Sequence, residues 1–419
     1  MEDEKNYKGY IFSVSIIFSL SILNVYNHLT WAPYLTVLSM LAVVIYNYIQ
    51  EDVISSEKVG IFRFTLFLIV IIVTLFNMTR GHLSVGIISY FTVIVAILMF
   101  HRLIDLYGNK FYEEVWGCLS LAINVLGVFN IYQIIYKRPM LYDFLNTAIK
   151  SYQFVGMDYY RTSSIFGSAI PACQIFVIGF FLNIFIKRKI NFLINIILLV
   201  DIYSTQSRSG WISLAVALVI YALIRMKKIN LKSISFNIFQ FLFFGFISLG
   251  STILVAINIK AISMNIISRF GDSLSWQNST DVSNLQRVET IESIFNRMFT
   301  GSRFSLLFGN GVGSSKDFMK SNKIIISNFD TTDNQILSLF FDLGTVVTLI
   351  LLVVLIIFFI KSIKNQKVAE SFILLSIMVV GLFFYEGFNW PIISVLFSLF
   401  FVGCSYNVAI LDKEIEFNE

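Results

Sequence analysis

Apolar residues in this chain come in blocks of roughly 17 to 25, the length a helix needs to cross a hydrocarbon core, with short polar breaks between them. About twelve blocks lie near residues 10–27, 31–49, 61–78, 83–100, 115–136, 164–186, 190–204, 209–224, 234–259, 335–360, 368–386 and 390–410. The seventh is short, and the ninth is long enough to tilt. The pattern predicts an all-α integral membrane protein of about twelve transmembrane helices, a single polytopic domain over residues 1–419. No internal repeat is visible, and no linker sets off a soluble domain.

The breaks carry the orientation. Lysine and arginine in short connections stay on the cytoplasmic side. Lys187, Arg188 and Lys189 form one basic group, Arg225, Lys227, Lys228 and Lys232 a second, and Lys361, Lys364 and Lys367 a third. Arg102 and Lys110 belong to an earlier loop of the same parity. These connections are expected in the cytoplasm together with both termini. The N-terminal MEDEKNYKGY precedes a block with no small-residue cleavage site and reads as a cytoplasmic start. The opposite face then receives the turn STQSRSGW (204–211), an external loop at 137–163 and a large external loop at 260–334.

Composition narrows the chemistry. With 57% hydrophobic and 14% charged residues and a mean hydropathy of +0.77, the chain is far more apolar than a soluble domain. A net charge of +5 spread through loops, without a basic run interleaved with aromatics, gives no sign of nucleic-acid binding. Cys118, Cys173 and Cys404 are far apart in apolar blocks, and His28, His82 and His101 show no ligand spacing, so no metal site is expected. What remains on the external side is arginines, a few carboxylates and amides. Such a set suits displacement of a phosphate leaving group, where fixed cations meet developing negative charge and one base accepts a proton.

Three arginines on that face draw notice: Arg161, Arg208 and Arg287. Arg208, next to Ser207, has no adjacent acid, and a bare guanidinium at bilayer depth costs several kcal/mol. It therefore sits at a membrane face or in a wet cavity, either snorkelling to the interface or holding a phosphate. Residues 283–299 read as an amphipathic helix started by Ser283 or Asn284, with Val288, Ile291, Ile294, Phe295 and Met298 on one arc. Arg287 lies within this arc and is expected to point toward the bundle, whereas Glu289 lies opposite. The alternating Gly309, Gly311 and Gly313 fit neither a dinucleotide fingerprint nor a P-loop, and read as a tight turn or a close backbone approach. Thr331, Thr332 or Asp333 is expected to cap the next span, with Asp333 and Asn334 at its mouth.

The ordered set RTSSIFGSAIP, STQSRSGW, LQRVETIESIFNRM with LLFGNGVG, and TTDNQILSLFFDLG resembles the O-antigen polymerase and O-antigen ligase superfamily of bacterial envelopes over roughly residues 160–350. The resemblance implies a GT-C-like membrane glycosyltransferase working on the periplasmic or outer face, independent of metal, nucleotide sugar and cofactor. It implies an undecaprenyl-diphosphate-linked glycan as donor, a lipid-linked acceptor, and a copolymerase that regulates chain length as partner. The family's three arginines map onto Arg161, Arg208 and Arg287. Asp333 is the first candidate base, followed by Glu289 and Glu386; Arg161, Ser207, Asn334 and Glu289 are assigned to substrate binding. The ligase branch carries a histidine where this chain has Asp333-Asn334, which favours a polymerase. The arginine-to-glycine spacing of some polymerases is absent, since the residues eleven beyond Arg161 and Arg287 are Ala172 and Met298. Rival readings are a ligase acting on lipid A core and a flippase for lipid-linked oligosaccharide.

Overall fold

A computed structural model describes residues 2–23, 31–50, 86–137, 161–186, 190–227, 282–322 and 331–416. The expected spans at 61–78 and 234–259, the basic residues 187–189, 228 and 232, and most of the loop at 137–163 lie outside the described residues. So do 260–281 and 323–330 of the large loop.

Among the described residues the regular structure is helical and contains no strand. The helices are α1 (Glu2–Leu23), α2 (Ala32–Gln50), α3 (Gly86–Tyr136), α4 (Ala169–Ile186), α5 (Asn191–Ser204), α6 (Arg208–Lys227), α7 (Val282–Thr300), α8 (Arg303–Phe308), α9 (Ser314–Ser321), α10 (Gln335–Ser362), α11 (Gln366–Leu382) and α12 (Pro391–Glu416). Among the described residues five segments are long and apolar enough to cross a membrane, within α3, α4, α6, α10 and α12, and shorter apolar stretches lie in α1, α2 and α5. The chain is a helical membrane protein.

α3 corrects one expectation. The segment carrying Arg102 and Lys110 is not a loop but continuous helix interrupted at Gly108, whose φ of 61° and ψ of −149° are non-helical. At about 1.5 Å per residue, its 51 residues would extend more than twice the thickness of a hydrocarbon core if straight. Its contacts instead show a reversal. Ser89 faces Asn389, Val93 O accepts from Ser398 Oγ, and Gly108 lies beside Tyr406, so the first half runs alongside α12. Tyr112 then packs on Gly403, and Ser120, Gly127 and Gln133 meet Asn183, Leu198 and Ser164 in turn on the way back. Glycine suits the reversal because a positive φ crowds a Cβ.

The core lies where α3, α4, α11 and α12 meet, with Phe100, Phe111, Phe176, Phe181 and Phe400 fully buried. Polar side chains tie the helices within this apolar mass. Asn183 Nδ2 donates to Asn124 Oδ1 at 2.8 Å and to Asn195 Oδ1 at 2.9 Å, and Ser120 Oγ donates to Asn183 Oδ1 at 2.7 Å. Such interhelical bonds contribute roughly 0.6 kcal/mol each in membrane proteins. One end of the bundle gathers the termini of α4 to α6, the start of α10 and the turn between α11 and α12; the functional residues collect there.

Candidate functional site

The site is built around the turn into α10. The expected cap at Thr331, Thr332 or Asp333 falls one residue later: Asn334 is the N-cap, its side chain accepting from Leu337 N at 3.0 Å. Thr332 is fastened elsewhere. Its backbone N–H donates to Glu386 Oε1 at 2.7 Å, and the same oxygen lies 2.9 Å from the hydroxyls of Thr332 and Ser338. Glu386 Oε2 accepts from Asn389 Nδ2 at 2.6 Å. With both neighbours pinned, Asp333 is forced out at φ 52°, a left-handed conformation that a non-glycine residue adopts at a cost.

Across from it stands Arg287. Its Nε and Nη2 both donate to Asp333 Oδ2 at 3.3 Å, while Thr331 Oγ1 donates to Oδ1 at 3.3 Å. The pair is partly open to solvent, 37% for the arginine side chain and 25% for the aspartate. These distances exceed the 2.7 to 2.9 Å of a tight charged hydrogen bond, so the guanidinium is held loosely.

α7 delivers Arg287. The helix begins at Val282, so Ser283 and Asn284 lie inside its first turn and do not precede it as expected caps. Gln286, Thr290, Ile294 and Met298, spaced four apart, are buried, the last two against Leu337 and Phe341 of α10. At about 100° per residue, Arg287 lies about 20° from both Ile294 and Met298, on the bundle side as its place in the arc predicted. Glu289 is exposed on the other side of α7, away from the Arg287–Asp333 pair.

The glycine loop approaches another backbone, one of the two roles expected for it. α10 is broken at Gly344, with φ 81°. The carbonyls just before the break, Phe341 O and Asp342 O, accept from Asn310 N and Gly311 N, each at 3.0 Å. A Cβ on Gly309 would meet Asp342 O at 2.1 Å, and one on Gly344 would meet Leu307 O at 2.4 Å. The buried Asp342 carboxylate completes the tie. Its Oδ1 takes Ser315 N at 2.7 Å and Ser314 Oγ at 3.2 Å, and its Oδ2 takes Gly313 N at 2.9 Å and Tyr90 Oη at 3.0 Å. Between Asp342 and Glu386, Lys316 and Asn389 help to line a cavity of about 20 Å³, room for a water molecule.

Arg161 and Arg208 form a second cluster. Gln133 Oε1 accepts from Ser163 N and Ser164 N, and Thr162 N donates to Ser204 O, which fixes the irregular segment ahead of α4. Arg161 Nε then donates to Thr205 O at 3.1 Å. Burial pushes the Arg161 guanidinium below its ordinary value, and the nearby Arg208 charge acts in the same direction. Two like charges at close range repel one another, a repulsion that an anion beside them would relieve. Ser207 is buried; its hydroxyl accepts from Gly210 N at 3.3 Å and serves the start of α6.

The two clusters share a frame. Arg161 is near Cys173, the adjacent Gln174 accepts from Tyr385 Oη, and Tyr385 precedes Glu386. The structure thus joins Arg287 to Asp333, fastens Arg161 to Thr205 within electrostatic range of Arg208, and relates the two groups through residues 173–174 and 385–386. Two buried acids escaped the sequence reading: Asp342, and Asp201, whose Oδ1 accepts from Asn130 Nδ2 at 2.9 Å. An ionisable residue inside an apolar span was the available signal for both.

Residues 193–352 match the family model described as O-Antigen ligase. The match takes in Arg208, Arg287, Asp333 and the glycine loop, and leaves Arg161 and Glu386 outside. No curated protein sequence matches the chain.

Proposed function

From the match of residues 193–352 to the O-antigen ligase family model, we propose that this membrane protein is a polysaccharide polymerase that joins lipid-linked oligosaccharide repeat units. The observation that carries the reading is the contact of Arg287 with Asp333 at the mouth of α10. It puts a cation suited to a diphosphate beside a carboxylate suited to a proton, on a face that a lipid-borne substrate can reach.

In this mechanism the growing glycan on undecaprenyl diphosphate binds with its diphosphate against Arg208 and Arg287, and Arg161 completes the anion site or orders its rim. A hydroxyl of the incoming repeat unit attacks the anomeric carbon from the face opposite the diphosphate. The new glycosidic C–O bond forms as the anomeric C–O bond to phosphate breaks. The electron pair leaves with undecaprenyl diphosphate, the hydroxyl proton passes to Asp333, and configuration inverts. The diphosphate is a good leaving group, so one base suffices. Glu386, the third candidate base, has its oxygens occupied by donors from Thr332, Ser338 and Asn389 and acts by holding the Asp333 turn. The site opens away from the cytoplasm, and a chain-length regulator is the expected partner.

The family description favours a second reading, transfer of the finished glycan to lipid A core. Asp333 where the ligase branch has histidine supports the polymerase. Purified protein is incubated with lipid-linked repeat units from its host, with and without lipid A core. A ladder of longer lipid-linked products from wild type, lost in Arg287→Ala, is expected. Product only on lipid A core would replace the polymerase with the ligase, and movement of the repeat unit across vesicles without lengthening would replace both with a flippase.

A further inference from the structure

α7 carries two distinct apolar stripes, and among the described residues only one is packed against the bundle. Ile294 and Met298 are fully buried against α10. Ile291, Phe295 and Phe299 occupy the adjoining stripe and are exposed, Phe299 by 65%. Phe295 and Phe299 stack with ring centroids 5.9 Å apart. The next helix extends the stripe: Phe304, Leu307 and Phe308 of α8 are all at least 40% exposed. Glu292 and Asn296, exposed beyond Phe299 around the helix, close the stripe with a polar edge.

The surroundings identify what covers it. α8 is fastened to α10 by Thr345 Oγ1, which donates to Leu306 O at 2.8 Å. Just past that bond α10 turns an apolar row outward, with Val346, Leu349, Ile350 and Val353 exposed. Among the described spans this is the most apolar and the least buried, so its outer row faces acyl chains. The stripe on α7 and α8 is continuous with that row at the level of residues 340–346, where Phe295 packs on Phe340. A soluble loop would leave such a patch in water at high cost.

We propose that α7 and α8 form an amphipathic foot seated in the bilayer interface, with Ile291, Phe295, Phe299, Phe304, Leu307 and Phe308 among the lipid acyl chains. Arg287 lies about 40° around α7 from Ile291 at about 100° per residue. It therefore stands on the bundle side of the seam between lipid and bundle, at headgroup depth, where an anion on a lipid carrier reaches it sideways without leaving the membrane. The inference rests on the chain being a membrane protein and stands whether the reaction is polymerisation or ligation.

The test uses the full chain in lipid nanodiscs with Cys118→Ser, leaving only the buried Cys173 and Cys404. Nitroxide labels are placed by Phe299→Cys, by Phe304→Cys and, on the polar edge, by Asn296→Cys. Labels at 299 and 304 are expected to collide with oxygen more often than with a water-soluble nickel chelate, and the label at 296 to show the reverse. Labels at 299 and 304 as accessible to the chelate as the one at 296 would overturn the proposal. Strong dipolar coupling between two copies at 299 would also overturn it, by assigning the stripe to a dimer contact. Because the readout is immersion depth, inactivity toward a given glycan leaves this result unaffected.

Discussion

Asp333 is held by its neighbours before it meets any substrate. Thr332 on one side is bonded to Glu386 and Asn334 on the other caps α10, so the left-handed turn between them has no slack. Replacing Asp333 with Asn keeps the size and much of the hydrogen bonding but removes the base. Elongation is expected to fall by roughly 10²- to 10⁴-fold with little change in donor KM, measured on lipid-linked repeat units. Glu386→Ala would leave the buried Thr332 N–H without an acceptor, at a cost of about 1–3 kcal/mol, and release the half-buried Asn389. Its kcat is expected to drop while Glu386→Gln, which retains one oxygen for Thr332, recovers much of it; equal losses in the two variants would return Glu386 to the list of bases. The three arginines were legible in the sequence because cations stand out against apolar blocks. The choice of Asn334 over Asp333 as cap was not, since either side chain can cap a helix and only the Glu386 anchor, more than fifty residues away, decides between them.

At the scale of elements, the two glycines that cross each other carry the most weight. Gly309 and Gly344 both have positive φ, and a Cβ on either would enter the other segment's backbone. Gly344→Ala and Gly309→Ala are each expected to cost more than the 1–2 kcal/mol of a left-handed alanine, because backbone cannot move aside as a side chain does. The check is a thermal unfolding midpoint in detergent, with Gly301→Ala as a milder comparison. The alternating glycines were visible in the sequence as a backbone approach, whereas their partner at Gly344 was hidden inside an apolar block that reads as an uninterrupted helix. α3 shows the converse. The charges at Arg102 and Lys110 read as a loop, and the helix instead turns at the single residue Gly108. Hydropathy locates the interval between spans, but the number of residues that leave the helix there depends on what the turn packs against, here Tyr406.

For the whole molecule, hydropathy alone predicts a helical membrane protein, and the described residues form one. Which helices touch was not legible, because apolar blocks of similar composition give no pairing information. The polar residues that do the pairing, such as Asn124 with Asn183 and Asn130 with Asp201, are distant in sequence. The arrangement can be read out chemically. Cys118 is exposed whereas Cys173 and Cys404 are buried, so a membrane-permeant maleimide is expected to add once to the folded protein and three times after denaturation. Two or three rapid additions to the folded chain would contradict the packing of α4 on α5 and of α12 on α3.

The crossing of Gly309 and Gly344 also sets an order for biogenesis. The amides of Asn310 and Gly311 leave the ribosome before the carbonyls of Phe341 and Asp342 that receive them. The loop therefore waits, unpaired, for a span that is still to be made. Asp333 belongs to the same late segment as those carbonyls, so one insertion event, that of α10, both ties down the loop and brings the carboxylate to Arg287. A chain halted before that event has all three arginines and no assembled site.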